Sequence, residues 1–145
     1  MKKLIAYVDG SFNINTSTYG AGIVFIYPDG TISEQSLSGS FMANMRNVAG
    51  EIVAATAAIN KALDEKFDSL DIFHDYTGIG YWANGQWQAK NTFTQAYRDY
   101  VAQARGCIDI NFFKVDAHSG DKYNERADQL AKMGAKNIQG DVLDG

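Results

Sequence analysis

The sequence is poor in the residues that build disulfide frameworks, closed zinc sites and membrane spans. Its 145 residues include one cysteine, Cys107, and two histidines, His74 and His118. One cysteine cannot form an internal disulfide, and a closed zinc site needs more cysteine and histidine ligands. Apolar runs reach about seven residues, against about 20 for a membrane span, and the run after Lys3 is too short for a signal peptide. We therefore expect a cytoplasmic protein without membrane contact, in which any bound metal has mainly oxygen ligands, as Mg²⁺ or Mn²⁺ does.

Positive charge is also in short supply. Thirteen Lys and Arg residues face 17 Asp and Glu residues, which gives a net charge of −4 without any basic block. Since nucleic-acid binding normally uses a surplus of Lys and Arg, charge by itself argues mildly against such a partner. What is present is an ordinary globular composition, 46% hydrophobic and 21% charged. The apolar residues match the needs of one core, so we expect a single domain and a monomer.

The pattern of apolar and polar residues predicts an α/β protein. We expect strands at residues 3–9, 20–27, 31–37, 69–75 and 108–115, and helices at 48–66, 77–83, 92–105 and 121–136. A polar loop is predicted at 10–19. This order predicts a five-stranded mixed sheet, an antiparallel meander followed by parallel strands, with helices on both faces. The domain is expected to span residues 1–137, followed by a flexible tail at 138–145.

Four acidic residues are placed where a purely structural interpretation explains them poorly. Asp9 and Asp75 both end predicted central strands, and ligands bind at the carboxyl edge of such sheets. Glu51 shares a helix face with alanines, where an unpaired carboxylate is costly to bury. Asp128 lies on the last helix, which follows a loop that contains His118. If the four acids converge, two divalent ions would neutralise them and support phosphoryl-transfer chemistry.

Each of these residues also has an ordinary interpretation, which the sequence leaves open. Asp9 and the glycine after it form a common turn pair. Glu51 lies near a helix start, where the helix dipole favours acids, and Asp128 would suit a solvated helix face. A loop histidine such as His118 is more often incidental than catalytic.

Four short segments carry a more specific pattern. They are Tyr-Val-Asp-Gly-Ser at 7–11, Ala-Gly-Glu-Ile at 49–52, His-Asp-Tyr at 74–76, and His-Ser-Gly-Asp-Lys-Tyr-Asn-Glu-Arg-Ala-Asp-Gln-Leu-Ala at 118–131. Together they resemble ribonuclease H, type 1, over about residues 3–136. The resemblance implies a ribonuclease H-like fold and an endonuclease that hydrolyses the RNA strand of RNA–DNA hybrids, leaving 5′-phosphate and 3′-hydroxyl ends. The alternative is a non-catalytic or differently specific nucleic-acid-binding member of the same fold superfamily.

The resemblance implies a role for each matching residue. The metal-binding carboxylates of the family fall on Asp9, Glu51, Asp75 and Asp128, and its mobile loop histidine falls on His118. Two Mg²⁺ ions per site are implied, for which Mn²⁺ substitutes. Contacts to the hybrid are implied for Gly10, Ser11, Phe12, Asn13, Arg46, Asn47 and Trp82.

The sequence also departs from parts of the family pattern. Some members carry a basic helical extension after the fourth strand, whereas residues 76–92 contain one basic residue, Lys90. Others carry an N-terminal hybrid-binding module, which we do not expect because the first predicted strand begins at residue 3. The neighbours of Asn47 differ from the family motif, and an auxiliary metal-site role for Glu125 is left open. The sequence also leaves open whether Trp82 and Trp87 contact DNA or fill the core.

Overall fold

A computed structural model describes residues 2–40, 47–85, 88–116 and 121–136, with the backbone alone for Asn47 and Thr77. The elements in these ranges are β1 (Lys3–Asn13), β2 (Thr18–Ile26), β3 (Ile32–Gly39), α1 (Asn47–Asp64), β4 (Ser69–His74), α2 (Thr77–Ala83), α3 (Thr92–Ala104), β5 (Asp109–Lys114) and α4 (Lys122–Lys136). Among the described helices, none has the length and apolar character needed to cross a membrane.

The strands form one five-stranded mixed sheet in the order β3-β2-β1-β4-β5. β1, β2 and β3 are antiparallel neighbours, whereas β4 pairs in parallel with both β1 and β5. Successive side chains of a strand point to opposite faces. Accordingly, Val8 of β1 belongs to the core cluster that includes α1, whereas Tyr7 packs against the cluster that includes α4. The predicted mixed sheet with helices on both faces is confirmed.

Helix α1 packs on the sheet through its smallest side chains. The predicted apolar face is present, because Ala55, Ala58 and Ala62 are all fully buried. Ile52 and Ile59 flank them and are also buried, and each contributes about 2 kcal/mol of hydrophobic stabilisation. The same face carries Glu51, so the packing that stabilises the helix also holds a carboxylate against the sheet.

The prediction for the first strand was wrong in its length. Residues 10–19 were expected to form a loop, but Gly10 pairs with Ala21, and Asn13 pairs with Thr18. The reason is that antiparallel pairing satisfies the backbone of this segment without requiring an apolar side-chain pattern. Pairing of β1 with β4 ends earlier, at Tyr7. Asp9 therefore lies within β1 but beyond its parallel segment, still at the edge where β4 ends.

Helix α4 approaches β2 at backbone distance. A Cβ atom added to Gly22 would lie 2.1 Å from the carbonyl oxygen of Ala127, and one added to Gly20 would lie 1.8 Å from that of Ala131. Real Cβ atoms do not approach carbonyl oxygens this closely. The two glycines therefore set how near α4 lies to the sheet.

We expect Gly22→Ala to lower the free energy of unfolding by about 3 kcal/mol, because the added methyl group must displace the backbone of α4. Urea denaturation of the two proteins measures this loss. Gly85→Ala is the matched control, since Gly85 has a φ of 78° and an added Cβ there would have no atom of the described residues within 4 Å. That change costs only the strain of a left-handed backbone, about 1 kcal/mol. Equal losses in the two variants would show that α4 has room to shift.

Candidate active site

Three acidic side chains meet at the edge of the sheet where β4 ends. Asp9 lies beyond the parallel segment of β1, Asp75 follows the last residue of β4, and Glu51 is in the second turn of α1. Each offers a carboxylate oxygen, and the three oxygens lie within 4.8 Å of one another. Asp9 is 5% exposed and Glu51 4% exposed, whereas Asp75 is half-buried. We call Asp9, Glu51 and Asp75 the carboxylate cluster.

Backbone N–H groups orient two of these carboxylates. The N–H of Gly10 donates to Oδ1 of Asp9 at 2.9 Å. The N–H of Tyr76, in the turn after β4, points to Oε2 of Glu51 at 3.4 Å. Gly10 lies within β1, and Tyr76 follows the end of β4 by two residues. The two N–H groups therefore come from neighbouring strands at the same sheet edge.

Burial and mutual repulsion raise the pKa values in the cluster. The pKa of Asp9 rises to about 8, first because of burial and then because of the Asp75 charge and a hydrogen bond with Asp128. The pKa of Glu51 lies well above its ordinary range, again chiefly through burial and then through the charges of Asp75 and Asp9. Because ionised oxygens repel each other at this separation, the cluster retains protons at neutral pH when no cation is bound.

Asp128 lies beside the cluster rather than within it. The approach of its carboxylate is one of the causes that raise the pKa of Asp9, after burial and the Asp75 charge. On its other side, Asp128 forms an ion pair with Lys132, four residues further along α4, at 2.9 Å. Asp128, the fourth predicted acid, therefore lies next to Asp9, and the ammonium group of Lys132 balances its charge.

The donor set suits a hard divalent cation. All the cluster ligands are carboxylate oxygens, which Mg²⁺ and Mn²⁺ prefer to nitrogen or sulfur. Burial first, and then the neighbouring carboxylates, raise the pKa values of Asp9 and Glu51, so the folded chain disfavours their ionised forms. A divalent cation would replace the retained protons and remove this repulsion.

The other predicted site residues are spread around the cluster or lie outside the described residues. Gly10, Ser11, Phe12 and Asn13 form the outer half of β1, and the last three are half-buried. Trp82, on α2, is half-buried with its ring 5.9 Å from that of Tyr76, and it packs against the main core. Glu125 is exposed on α4. Outside the described residues are Arg46, Trp87, His118 and the side chain of Asn47.

Sequence reasoning missed three residues that surround these acids. Lys132 was detectable, because its spacing of four residues from Asp128 is that of a helical ion pair. Tyr97 is 3% exposed, and its hydroxyl donates to the carbonyl of Ile79 at 2.8 Å. Burial raises the pKa of Tyr97, and the nearby charge of Glu51 raises it further. His74 is 3% exposed beside Asp75, and nothing in its sequence pattern distinguished it from a core histidine.

A family model described as RNase H matches residues 1–136 of this chain. The chain therefore belongs to the RNase H family, a family of hydrolases.

Individual relatives agree with this assignment. The chain is 29% identical to a Ribonuclease H of Chlorobium phaeobacteroides over 151 residues, an alignment that covers 94% of this chain and 97% of the relative. Its fold is similar to that of RNase H1 from Halobacterium salinarum, with a TM-score of 0.74, 24% identity, and coverage of 91% and 96%. It is also similar to LC11-RNase H1 in complex with an RNA/DNA hybrid, with a TM-score of 0.68, 16% identity, and coverage of 90% and 97%.

Proposed function

We propose that this protein is an endonuclease that hydrolyses the RNA strand of RNA–DNA hybrids and leaves 5′-phosphate and 3′-hydroxyl ends. The observation that carries the proposal is the buried carboxylate cluster, placed at the sheet edge of a chain that belongs to the RNase H family. The hybrid-bound state of the similar LC11-RNase H1 supports the choice of substrate.

Asp9, Glu51, Asp75 and Asp128 are the residues proposed to hold two Mg²⁺ ions, for which Mn²⁺ would substitute. When bound, such ions supply an activated water and stabilise negative charge on the departing oxygen. The chain's own groups prepare the ligands. Gly10 fixes one oxygen of Asp9, and burial keeps bulk water away from Glu51. His118 is proposed to assist proton transfer or product release, a role that rests on the family resemblance.

The outer half of β1 supports recognition of RNA. Parallel pairing with β4 ends at Tyr7, while pairing with β2 continues to Asn13. β1 therefore extends past the end of its parallel neighbour at 8–13. Backbone groups of this extension, which begins beside Asp9, suit hydrogen bonds to 2′-hydroxyls, which distinguish RNA from DNA. We assign this contact to Gly10, Ser11, Phe12 and Asn13.

We assign the remaining hybrid contacts to Arg46, Asn47 and Trp82. The ring of Trp82 is half-exposed beside Tyr76, the residue whose N–H points to Glu51. An aromatic surface this near the cluster suits a sugar or base of the bound nucleic acid. Since the net charge is −4, two divalent ions would supply the positive charge that the protein lacks. We therefore expect weak hybrid binding that requires metal and falls steeply with salt.

A gel assay of strand cleavage tests the proposed activity. A labelled RNA–DNA hybrid is compared with double-stranded RNA, double-stranded DNA and single-stranded RNA, each with Mg²⁺, with Mn²⁺ and with EDTA. We expect RNA to be cut only in the hybrid and only with metal, because cleavage needs the 2′-hydroxyls of one strand, the shape of a DNA partner strand and the loaded cluster. Hybrid binding without any cutting would instead support the alternative, a non-catalytic member of the superfamily, and metal-independent cutting would contradict the assigned site.

The proposal includes a monomer in the cytoplasm. An exposed free thiol such as that of Cys107 is typical of a reducing compartment. The carboxylate cluster is built from elements of one chain, so cleavage does not require a second copy. Sedimentation at the protein concentration of the assay checks the monomeric state.

A further inference from the structure

His74 occupies the joint between β4 and the turn that carries Asp75. Its Nδ1 atom lies 2.9 Å from the carbonyl oxygen of Tyr76, two residues ahead. A carbonyl oxygen only accepts hydrogen bonds, so Nδ1 must carry the proton and donate. The backbone carbonyl of His74 in turn accepts from the N–H of Val115 at 2.7 Å, which ties this joint to the chain after β5.

The imidazole of His74 is enclosed on its other sides. An added Cβ on Gly80 of α2 would lie 3.2 Å from Nε2, and the ring of Phe112 lies edge-on at 6.0 Å between centroids. The side chain therefore has little freedom to rotate away from Tyr76. Burial also lowers the pKa of His74 to about 4, in agreement with a neutral ring that donates through Nδ1.

The residue that His74 holds is the one that contacts Glu51. Tyr76 accepts the imidazole hydrogen bond through its carbonyl and directs its own N–H to Oε2 of Glu51. The backbone N–H groups of Asp75 and Tyr76 both favour the ionised form of Glu51, and so act against the effect of burial on its pKa. The hydrogen bond from His74 thus fixes the turn formed by Asp75 and Tyr76. This turn supplies the Asp75 carboxylate to the cluster and orients the carboxylate of Glu51.

We propose that His74 is a positioning residue for the carboxylate cluster, which keeps Asp75 and the backbone N–H groups of the 75–76 turn in register with Glu51. The inference rests on the proposed metal-binding role of that cluster. In this proposal the side chain of His74 has no direct contact with a bound metal ion or with the substrate. Its effect passes through the carbonyl of Tyr76. Hydrogen-bond partners of metal ligands commonly change metal affinity about 10- to 100-fold when they are removed.

Three substitutions separate the hydrogen bond from the packing. His74→Phe keeps a ring but loses the donor, and His74→Leu loses both. His74→Asn is the conservative variant, because its amide nitrogen is as many bonds from the backbone as Nδ1 and restores a donor at that place. Titration calorimetry with Mn²⁺ in the absence of nucleic acid gives the metal affinity of each folded variant. The Mg²⁺ concentration for half-maximal hybrid cleavage gives a second measure.

We expect His74→Phe and His74→Leu to weaken Mn²⁺ binding about 10-fold and His74→Asn to remain within about threefold of the parent protein. Donor-free variants that bind Mn²⁺ as tightly as the parent would overturn the proposal. An Asn variant as weak as the Phe variant would do the same, since packing would then account for the loss. If the donor-free variants do not fold, ¹⁵N spectra of the parent's histidines decide, because an Nε2-protonated His74 contradicts the assigned hydrogen bond and an Nδ1-protonated one supports it.

The parent protein distinguishes this inference from the function on which it rests. A parent that binds metal and cuts the hybrid, alongside donor-free variants with unchanged affinity, overturns the role of His74 alone. A parent that neither binds Mn²⁺ nor cuts the hybrid overturns the proposed function and this inference together.

Discussion

Asp75→Asn is expected to reduce the rate of hybrid cleavage at least ~1000-fold at saturating Mg²⁺. Asp75 faces both Asp9 and Glu51, and its charge contributes to the raised pKa of each. An amide oxygen in its place has no full negative charge, so it binds a divalent cation far more weakly. Single-turnover cleavage of a labelled hybrid measures the chemical step without a contribution from product release.

Asp71→Asn is the matched control for this experiment. Asp71 lies on the same strand, β4, is 8% exposed, and pairs with Lys3 at 3.1 Å rather than with the cluster. We expect its cleavage rate to stay within about threefold of the parent's, because the contacts that the substitution changes, the ion pair with Lys3 and the hydrogen bond from Asn111, are not made to the cluster. If Asp75→Asn retained a tenth of the parent rate, Asp75 would not be an essential metal ligand.

Without metal, the protein is expected to lose stability as the pH rises from about 4 to 8, and Asp9→Asn is expected to remove the part of that loss that Asp9 contributes. The folded-state pKa of Asp9 is about 8, above its ordinary value of 3.8. Between these values the folded state binds a proton that the unfolded state releases, so rising pH favours unfolding. The Asn side chain keeps an acceptor for the N–H of Gly10 and carries no charge that must be buried.

Urea denaturation in EDTA at pH 5 and at pH 8 measures this difference. At pH 8 we expect Asp9→Asn to be more stable than the parent by about 3 kcal/mol, which is about half of what the full pKa shift corresponds to, because the raised pKa belongs to Asp9 together with the carboxylates around it. At pH 5 the difference should fall below about 1 kcal/mol, because only the first part of the linked loss has then occurred. Mg²⁺ should stabilise the parent and have little effect on the variant. A variant no more stable than the parent at pH 8 would contradict the assigned repulsion.

The main features of the fold were predictable because hydrophobic periodicity reports which faces are buried. Glu51 is the clearest case, since its spacing from the buried Ala55 and Ala58 placed it against the sheet before any coordinates were considered. The outer half of β1 was not predictable in this way. Gly10 and Asn13 enter a strand because β2 supplies backbone partners, and that information lies in the pairing rather than in their own side chains.

The candidate site was predictable in its residue types but not in its charge balance. Sequence order placed Asp9 and Asp75 at one sheet edge, and the structure brings them together with Glu51. The sequence order could not show that Asp128 divides its contacts between Asp9 and Lys132, because those contacts depend on how deeply α4 packs against the sheet. The hydrogen bond from His74 to Tyr76 likewise depends on the geometry of a short turn, which leaves no periodic signal.

Helices approach the sheet at backbone distance on both of its faces, so tolerance of mutation varies along each helix. Gly20 and Gly22 meet the carbonyls of Ala131 and Ala127 in α4, and a Cβ added to Gly50 of α1 would lie 2.1 Å from the carbonyl oxygen of Gly20. One helical turn or more beyond Glu51, the core under α1 is filled by side chains such as Ile59, which can be exchanged for others of similar volume. Repacking that later part of α1 leaves the glycine contacts in place, which makes it the part of the core where stabilisation of this enzyme should begin.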